Sequence, residues 1–136
     1  MSHPVLVIAT GGTIASTTDA SGARVPTLSG AELVRTSGAP ARAVDAASLD
    51  SSSITLADID ALAARIEHSL ADASLTGVVL THGTDSMAET ALALDLVHTD
   101  PRPLVLTGAQ LPADHPRSDG PANLRGAVAA AADPRL

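Results

Sequence analysis

Val5-Leu6-Val7-Ile8-Ala9-Thr10-Gly11-Gly12-Thr13 decides how the rest of the chain is read. Its first five residues are wholly apolar and rich in β-branched side chains. A run of that kind suits a strand covered on both faces, and buried parallel strands have this composition. Two glycines then break the run and mark a turn. The same grammar recurs downstream. Gly77 precedes Val78-Val79-Leu80, a second buried strand, and Thr81-His82-Gly83-Thr84-Asp85 follows as a polar loop. Pro103-Leu104-Val105-Leu106 is read as another strand, and the alanine-rich stretch from Arg42 to Leu49 as a fourth.

Helical segments lie between these strands. Ser29 is placed to cap a short helix over 30–36, ended by Ser37-Gly38-Ala39-Pro40. Thr55 is read as the N-cap of a helix over 56–71, with Ile59, Leu62, Ile66 and Leu70 at helical spacing. A third helix is expected over 85–97, with Met87, Ala91, Leu94 and Val97 inward, and a last one over 123–132. Residues 16–30 read as loop with a short hairpin, and 107–119 as a long polar loop. Strand and helix in alternation mean a parallel sheet flanked by helices, joined by right-handed crossovers. Neither an internal repeat nor a linker divides residues 1–136, so one α/β domain is expected.

Composition narrows the function classes. The chain is 45% hydrophobic yet has no Phe, Tyr or Trp, so its core is built from Ala, Val, Leu and Ile. That is feasible, because volume and pattern matter more than aromatic content. Few large anchors imply modest stability. The net charge is −7, and the acidic balance argues against nucleic acid or an anionic membrane as partner. No run approaches the roughly 18 apolar residues of a membrane span. Met1-Ser2-His3-Pro4 lacks the basic start of a leader, so a cytoplasmic location is expected. Without cysteine there is no thiolate chemistry and no cysteine zinc site.

In open α/β sheets, ligands bind outside the carboxyl ends of the strands. The polar loops 10–13, 50–53 and 81–85 leave those ends and are expected to share one crevice, with Thr107-Gly108-Ala109-Gln110 as its wall. Taken alone, Thr10-Gly11-Gly12-Thr13 is a strand-end turn with a capping threonine. Its glycines also let backbone N–H groups approach a ligand, and a threonine hydroxyl beside them is a nucleophile if a base takes its proton. The stretch is neither a Walker loop nor G-x-G-x-x-G. Thr84-Asp85 opens a helix, as N-cap and first-turn acid; the alternative is that both line the pocket, with Asp85 pairing with a substrate ammonium. His82 is read as structural, and Asp50-Ser51-Ser52 as ordinary loop when isolated.

The combination says more than its parts. Ala9-Thr10-Gly11-Gly12-Thr13-Ile14-Ala15 resembles the first signature of the bacterial-type L-asparaginases. Leu80-Thr81-His82-Gly83-Thr84-Asp85-Ser86-Met87-Ala88-Glu89-Thr90 resembles the second, which is long and specific. Asp50-Ser51-Ser52-Ser53-Ile54-Thr55 resembles the substrate loop between them. Thr107-Gly108-Ala109-Gln110 and Arg117-Ser118-Asp119-Gly120-Pro121-Ala122-Asn123-Leu124 resemble the segment after the fourth strand. The matches come in the family's order across nearly the whole chain.

The resemblance implies a doubly wound, flavodoxin-like sheet with helices on both faces. It implies hydrolysis of L-asparagine, and in some members L-glutamine, to the acid and ammonia without metal or cofactor. It implies Thr13 as the nucleophile, and Thr84 in a second catalytic cluster with Asp85 and a lysine. Asp85 would also bind the substrate's α-amino group. Asp50, Ser51 and Ser52 would hold its α-carboxylate, Ala109 would lie near the amide, and N–H groups near Gly12 and Thr13 would steady an oxyanion.

Two departures stand out: no residue of the 136 is lysine, and residues 17–28 lack the tyrosine that many relatives carry there. The family's lysine is expected beyond residue 136, together with the sheet's last strand and a smaller second domain. The chain is therefore expected to be the amino-terminal part of a longer, homo-oligomeric enzyme. Alternatives are a stand-alone amino-acid-binding module without turnover and the asparaginase-like part of a tRNA-dependent amidotransferase. A nucleotide-binding domain of the same fold lacks a phosphate loop in its favour.

Overall fold

Strand β1, Val5–Ala9, is buried along its whole length in the computed structural model, which describes residues 5–136. The Met1–Pro4 stretch, read above for a leader, lies outside the described residues. After β1 a single 3₁₀ turn, Thr13–Ala15, leads into a hairpin of β2, Ser16–Thr18, and β3, Arg24–Pro26. The chain continues through α1 (Gly30–Ser37), β4 (Arg42–Asp45), α2 (Leu56–Leu70), β5 (Gly77–Thr81), α3 (Met87–Asp95), β6 (Leu104–Thr107) and α4 (Gly120–Ala131).

The main sheet is parallel, in the order β4-β1-β5-β6. The winding direction therefore reverses between β1 and β5, the topological switch point of a flavodoxin-like sheet. Ala9 is level with Asp45 on one side and Thr81 on the other, and Thr81 with Thr107. The four carboxyl ends thus form one rim.

Alternation along the strands feeds two cores. Val5, Val7 and Val79 face one side with Leu33, Leu124 and Val128 of α1 and α4. Leu6, Ile8, Val78 and Leu80 face the other with Leu62, Ile66 and Leu94 of α2 and α3. Helices cover both faces, as expected from the sequence. Ile8, Leu80, Leu94 and Leu124 are each under 2% exposed. Each such aliphatic side chain is worth about 1.5–3 kcal/mol of burial, which is how a core without aromatic residues holds.

The caps expected at Ser29 and Thr55 form. Ser29 accepts from the Glu32 amide, and Thr55 from the Asp58 amide; each acid reaches back to the cap residue's own N–H. Thr55→Ala is expected to cost about 1 kcal/mol, read as a lower midpoint in urea with an unchanged slope.

Several boundaries differ from the sequence reading, for identifiable reasons. The strand expected over 42–49 stops at Asp45. Its partner β1 ends at Ala9, and the next amides, Ala46 and Ala47, turn in to the Ala9 carbonyl. Helix α3 begins at Met87 rather than 85, so neither Thr84 as N-cap nor Asp85 as first-turn acid holds. The Asp85 amide and the Ser86 hydroxyl are engaged with Ser51 instead. Val97, expected inward, lies past the end of α3 and is 59% exposed. Helix α4 begins at Gly120, three residues before the expected start, with Pro121 in its first turn, where a missing N–H costs nothing.

At the amino ends of the strands, Arg102 fastens the turn after α2. Its guanidinium donates to the Asp72 and Leu75 carbonyls at 3.0 and 3.3 Å, to the Leu70 carbonyl, and to both Asp100 oxygens. That guanidinium holds the Asp100 carboxyl down at about 2, from an ordinary 3.8. The folded value lies below the unfolded one, so the pair's stabilisation is complete above the ordinary value and is lost as pH falls through about 2. Asp100→Asn should therefore flatten the loss of unfolding free energy between pH 4 and 2 in acid titrations of stability. Among the described residues no helix is long and apolar enough to cross a membrane.

Candidate active site

The rim at the switch point is assembled by backbone packed on backbone. Gly12 has φ 82°, a conformation that L side chains rarely adopt, and a Cβ there would stand 2.8 Å from the Gly83 nitrogen. A Cβ on Gly83 would in turn stand 2.3 Å from Ser51 Oγ, and one on Gly108 2.5 Å from the His82 carbonyl oxygen. The loops after β1, β4, β5 and β6 can meet this closely only because glycine occupies each contact. The sequence expectation that these four loops share one crevice agrees with this packing.

Hydrogen bonds lock the arrangement. Thr10 Oγ1 donates to the Thr81 carbonyl at 2.6 Å, and the Thr10 amide to Thr81 Oγ1 at 3.3 Å, joining the ends of β1 and β5. The Leu49 amide donates to the Thr10 carbonyl at 2.8 Å. Ser51 is 7% exposed; its Oγ accepts from the Asp85 amide at 3.3 Å and its carbonyl from Ser86 Oγ at 2.6 Å. His82 is 1% exposed, with Nδ1 2.6 Å from the Gly83 carbonyl and Nε2 3.0 Å from Thr90 Oγ1. Both ring nitrogens are spent on neighbours, which fits the structural reading of that histidine.

The side chains of Thr13, Thr84 and Asp85 take no part in these ties. Thr13 is half-buried at the start of the 3₁₀ turn, while Thr84 and Asp85 are exposed ahead of α3. Asp50 and Ser52 are exposed beside buried Ser51. The Asp50 carboxylate accepts from the Ser52 amide at 3.0 Å and Ser52 Oγ at 2.8 Å, which holds it below the usual carboxylate range. Ala109, 2% exposed, lies in the wall. The structure therefore gathers around one rim the loops of every residue singled out from the sequence. Beside them a cavity of about 380 Å³ opens at the ends of β1 and β4, lined by Ala9, Gly11, Thr27, Ser29, Asp45 and Ser48. A cavity of about 550 Å³ between α2 and α3 lies at the other end of the sheet, away from this chemistry. Among the described residues no three His, Asp or Glu side chains are grouped to hold a metal ion.

Sequence reasoning missed the residues that build the rim without facing it. Thr10, Thr81 and Ser86 belong here, as do Asp119 and Asn123. Asp119 accepts from the Gln110 and Leu111 amides, and Asn123 donates to the Gly108 carbonyl at 3.0 Å. No periodicity marks them; their presence inside the quoted signatures was the available signal.

Comparison with known proteins matches residues 4–136 to the family described as "Asparaginase, N-terminal". The chain belongs to the asparaginase family. It is 42% identical to a glutaminase-asparaginase of Acinetobacter glutaminasificans, over 93% of the chain and 41% of that protein. It is 39% identical to an L-asparaginase of Bacillus licheniformis, over 100% of the chain and 44% of that protein. Among solved structures, a probable cytoplasmic L-asparaginase from Campylobacter jejuni superposes with a TM-score of 0.87 at 33% identity, over 99% of the chain and 43% of the other. The thermostable L-asparaginase from Thermococcus kodakarensis gives 0.82 at 36% identity, over 93% and 40%. This asparaginase-family chain thus spans about two fifths of the relatives it matches.

Proposed function

We propose that the chain is the amino-terminal domain of an L-asparaginase-type amidohydrolase, with Thr13 as nucleophile. The observation that carries the proposal is the glycine-mediated contact of the loops bearing Gly12-Thr13, Ser51 and Gly83-Thr84-Asp85 at the switch point. An amide is a poor electrophile and a threonine hydroxyl a poor nucleophile, so a covalent route divides the work. Thr13 Oγ adds to the side-chain amide carbon, ammonia leaves, and water then cleaves the acyl ester. Backbone N–H groups at Gly12 and Thr13 face the developing oxyanion in this reading. Asp85 receives the α-ammonium, while Asp50, Ser51 and Ser52 hold the α-carboxylate. Ser51 Oγ already accepts from the Asp85 amide, which leaves its own proton for a carboxylate oxygen. Thr84 assists proton transfer, and Ala109 lies beside the amide.

The lysine implied by the family resemblance is not among these 136 residues. The proposal accordingly assigns turnover to a whole enzyme, cytoplasmic and homo-oligomeric, acting on L-asparagine or L-glutamine. The test is ammonia release from each amide by that enzyme, with Thr13→Ala alongside. A second reading is a binding module that keeps the amino-acid pocket without turnover. Tight binding of L-aspartate with no ammonia from L-asparagine would establish that one.

A further inference from the structure

Asp119 is the N-cap residue of α4, yet its side chain accepts no capping bond from an amide of the helix's first turn. Such a residue ordinarily satisfies an amide of the first turn. Here Pro121 in that turn offers no N–H, and the carboxylate reaches back across the rim. Its Oδ2 accepts from the Gln110 amide at 3.0 Å and its Oδ1 from the Leu111 amide at 2.9 Å. The Asn123 side-chain amide donates to Asp119 Oδ2 at 2.9 Å and to the Gly108 carbonyl at 3.0 Å. The two side chains therefore fix the backbone on both sides of Ala109.

A further geometric step follows from the peptide bond. All peptide bonds described are trans, so the Ala109 carbonyl points opposite to the Gln110 N–H. Whatever holds that N–H aims that carbonyl. A Cβ placed on Gly108, the residue before this peptide, would lie 3.6 Å from Thr84 Cγ2, so the segment that leads into the aimed peptide packs against the loop carrying Thr84. We infer that Asp119, braced by Asn123, is a positioning residue that orients the Ala109–Gln110 peptide so that its carbonyl accepts a hydrogen bond from the substrate's side-chain amide. The inference rests on the proposed function. The carboxylate matters because an acceptor-only group serves two N–H donors and the Asn123 amide together.

The experiment separates an aimed carbonyl from a general loop staple. In the whole protein carrying Thr13→Ala, so that ligand survives, calorimetry compares L-asparagine with L-aspartate before and after Asp119→Asn. Only L-asparagine brings an amide N–H₂ to the wall. The variant should bind L-asparagine about tenfold more weakly, the scale of one lost hydrogen bond, and L-aspartate within about twofold. Asn123→Ala, a milder disturbance, should move the same ratio in the same direction and serves if Asp119→Asn does not fold. Equal weakening of both ligands, or of neither, overturns the positioning role while leaving the functional reading intact. A Thr13→Ala parent that binds neither amino acid overturns the functional reading and the inference with it.

Discussion

Thr13→Ala should lower kcat/KM for ammonia release from L-asparagine by at least about 1000-fold, or about 4 kcal/mol of barrier. The size of the effect follows from what the neighbouring hydroxyls are already doing. Thr10 Oγ1 donates to the Thr81 carbonyl, and Ser16 Oγ to the Gly12 carbonyl at 2.8 Å. Neither is free to take over the attack. Thr13 alone among the three sits half-buried at the rim with its backbone fixed by the turn that Gly12 allows. The turn itself does not depend on the hydroxyl, because the Ala15 amide closes it on the Gly12 carbonyl at 3.1 Å. Alanine should therefore leave the thermal midpoint within a few degrees of wild type. Thr13→Ser should restore part of the rate. If Thr13→Ala keeps more than about a tenth of the activity, the nucleophile lies elsewhere, and Thr84 is the next residue to replace.

The architecture was legible because buried strands and amphipathic helices write period and composition into the chain. Val5–Ala9 and Val78–Leu80 read as buried strands from their short, β-branched apolar runs, and Ser29 and Thr55 stood where a cap precedes a helical pattern. The errors came where tertiary bonds outweigh local propensity. Thr84-Asp85 has the chemistry of a helix start, yet Ser51 takes the Asp85 amide and the Ser86 hydroxyl, and the helix waits until Met87. Helical spacing carried Val97 inward, but α3 ends at Asp95 and Thr90, buried against His82, anchors its inner face. At the rim, the loops that carry the proposed site residues were recoverable from the signatures. Those that brace it were not, because a carboxylate such as Asp119 bonds backbone eight and nine positions away, and that relation has no period.

The glycines of the rim should prove as consequential as the nucleophile. Gly83→Ala is expected to abolish measurable binding of L-aspartate while costing about 1–3 kcal/mol of stability, the range for overpacking a filled site. The added methyl would stand 2.3 Å from Ser51 Oγ and 2.7 Å from Ser51 Cβ. Rotating the hydroxyl does not relieve the second contact, so the Ser51 backbone must move. That backbone is held by Ser86 Oγ at its carbonyl, and the displacement passes into the segment carrying Asp85. Both proposed ends of the amino-acid site then shift together, and a misplacement of about 1 Å is enough for a 100-fold loss. Gly126→Ala is the matched control. Gly126 lies exposed in α4 with nothing within 4 Å of an added Cβ. There alanine should stabilise by about 0.5–1 kcal/mol through helix propensity and leave binding unchanged. If Gly83→Ala binds L-aspartate as tightly as Gly126→Ala, the rim tolerates separation of its loops, and their close contact is not what builds the site.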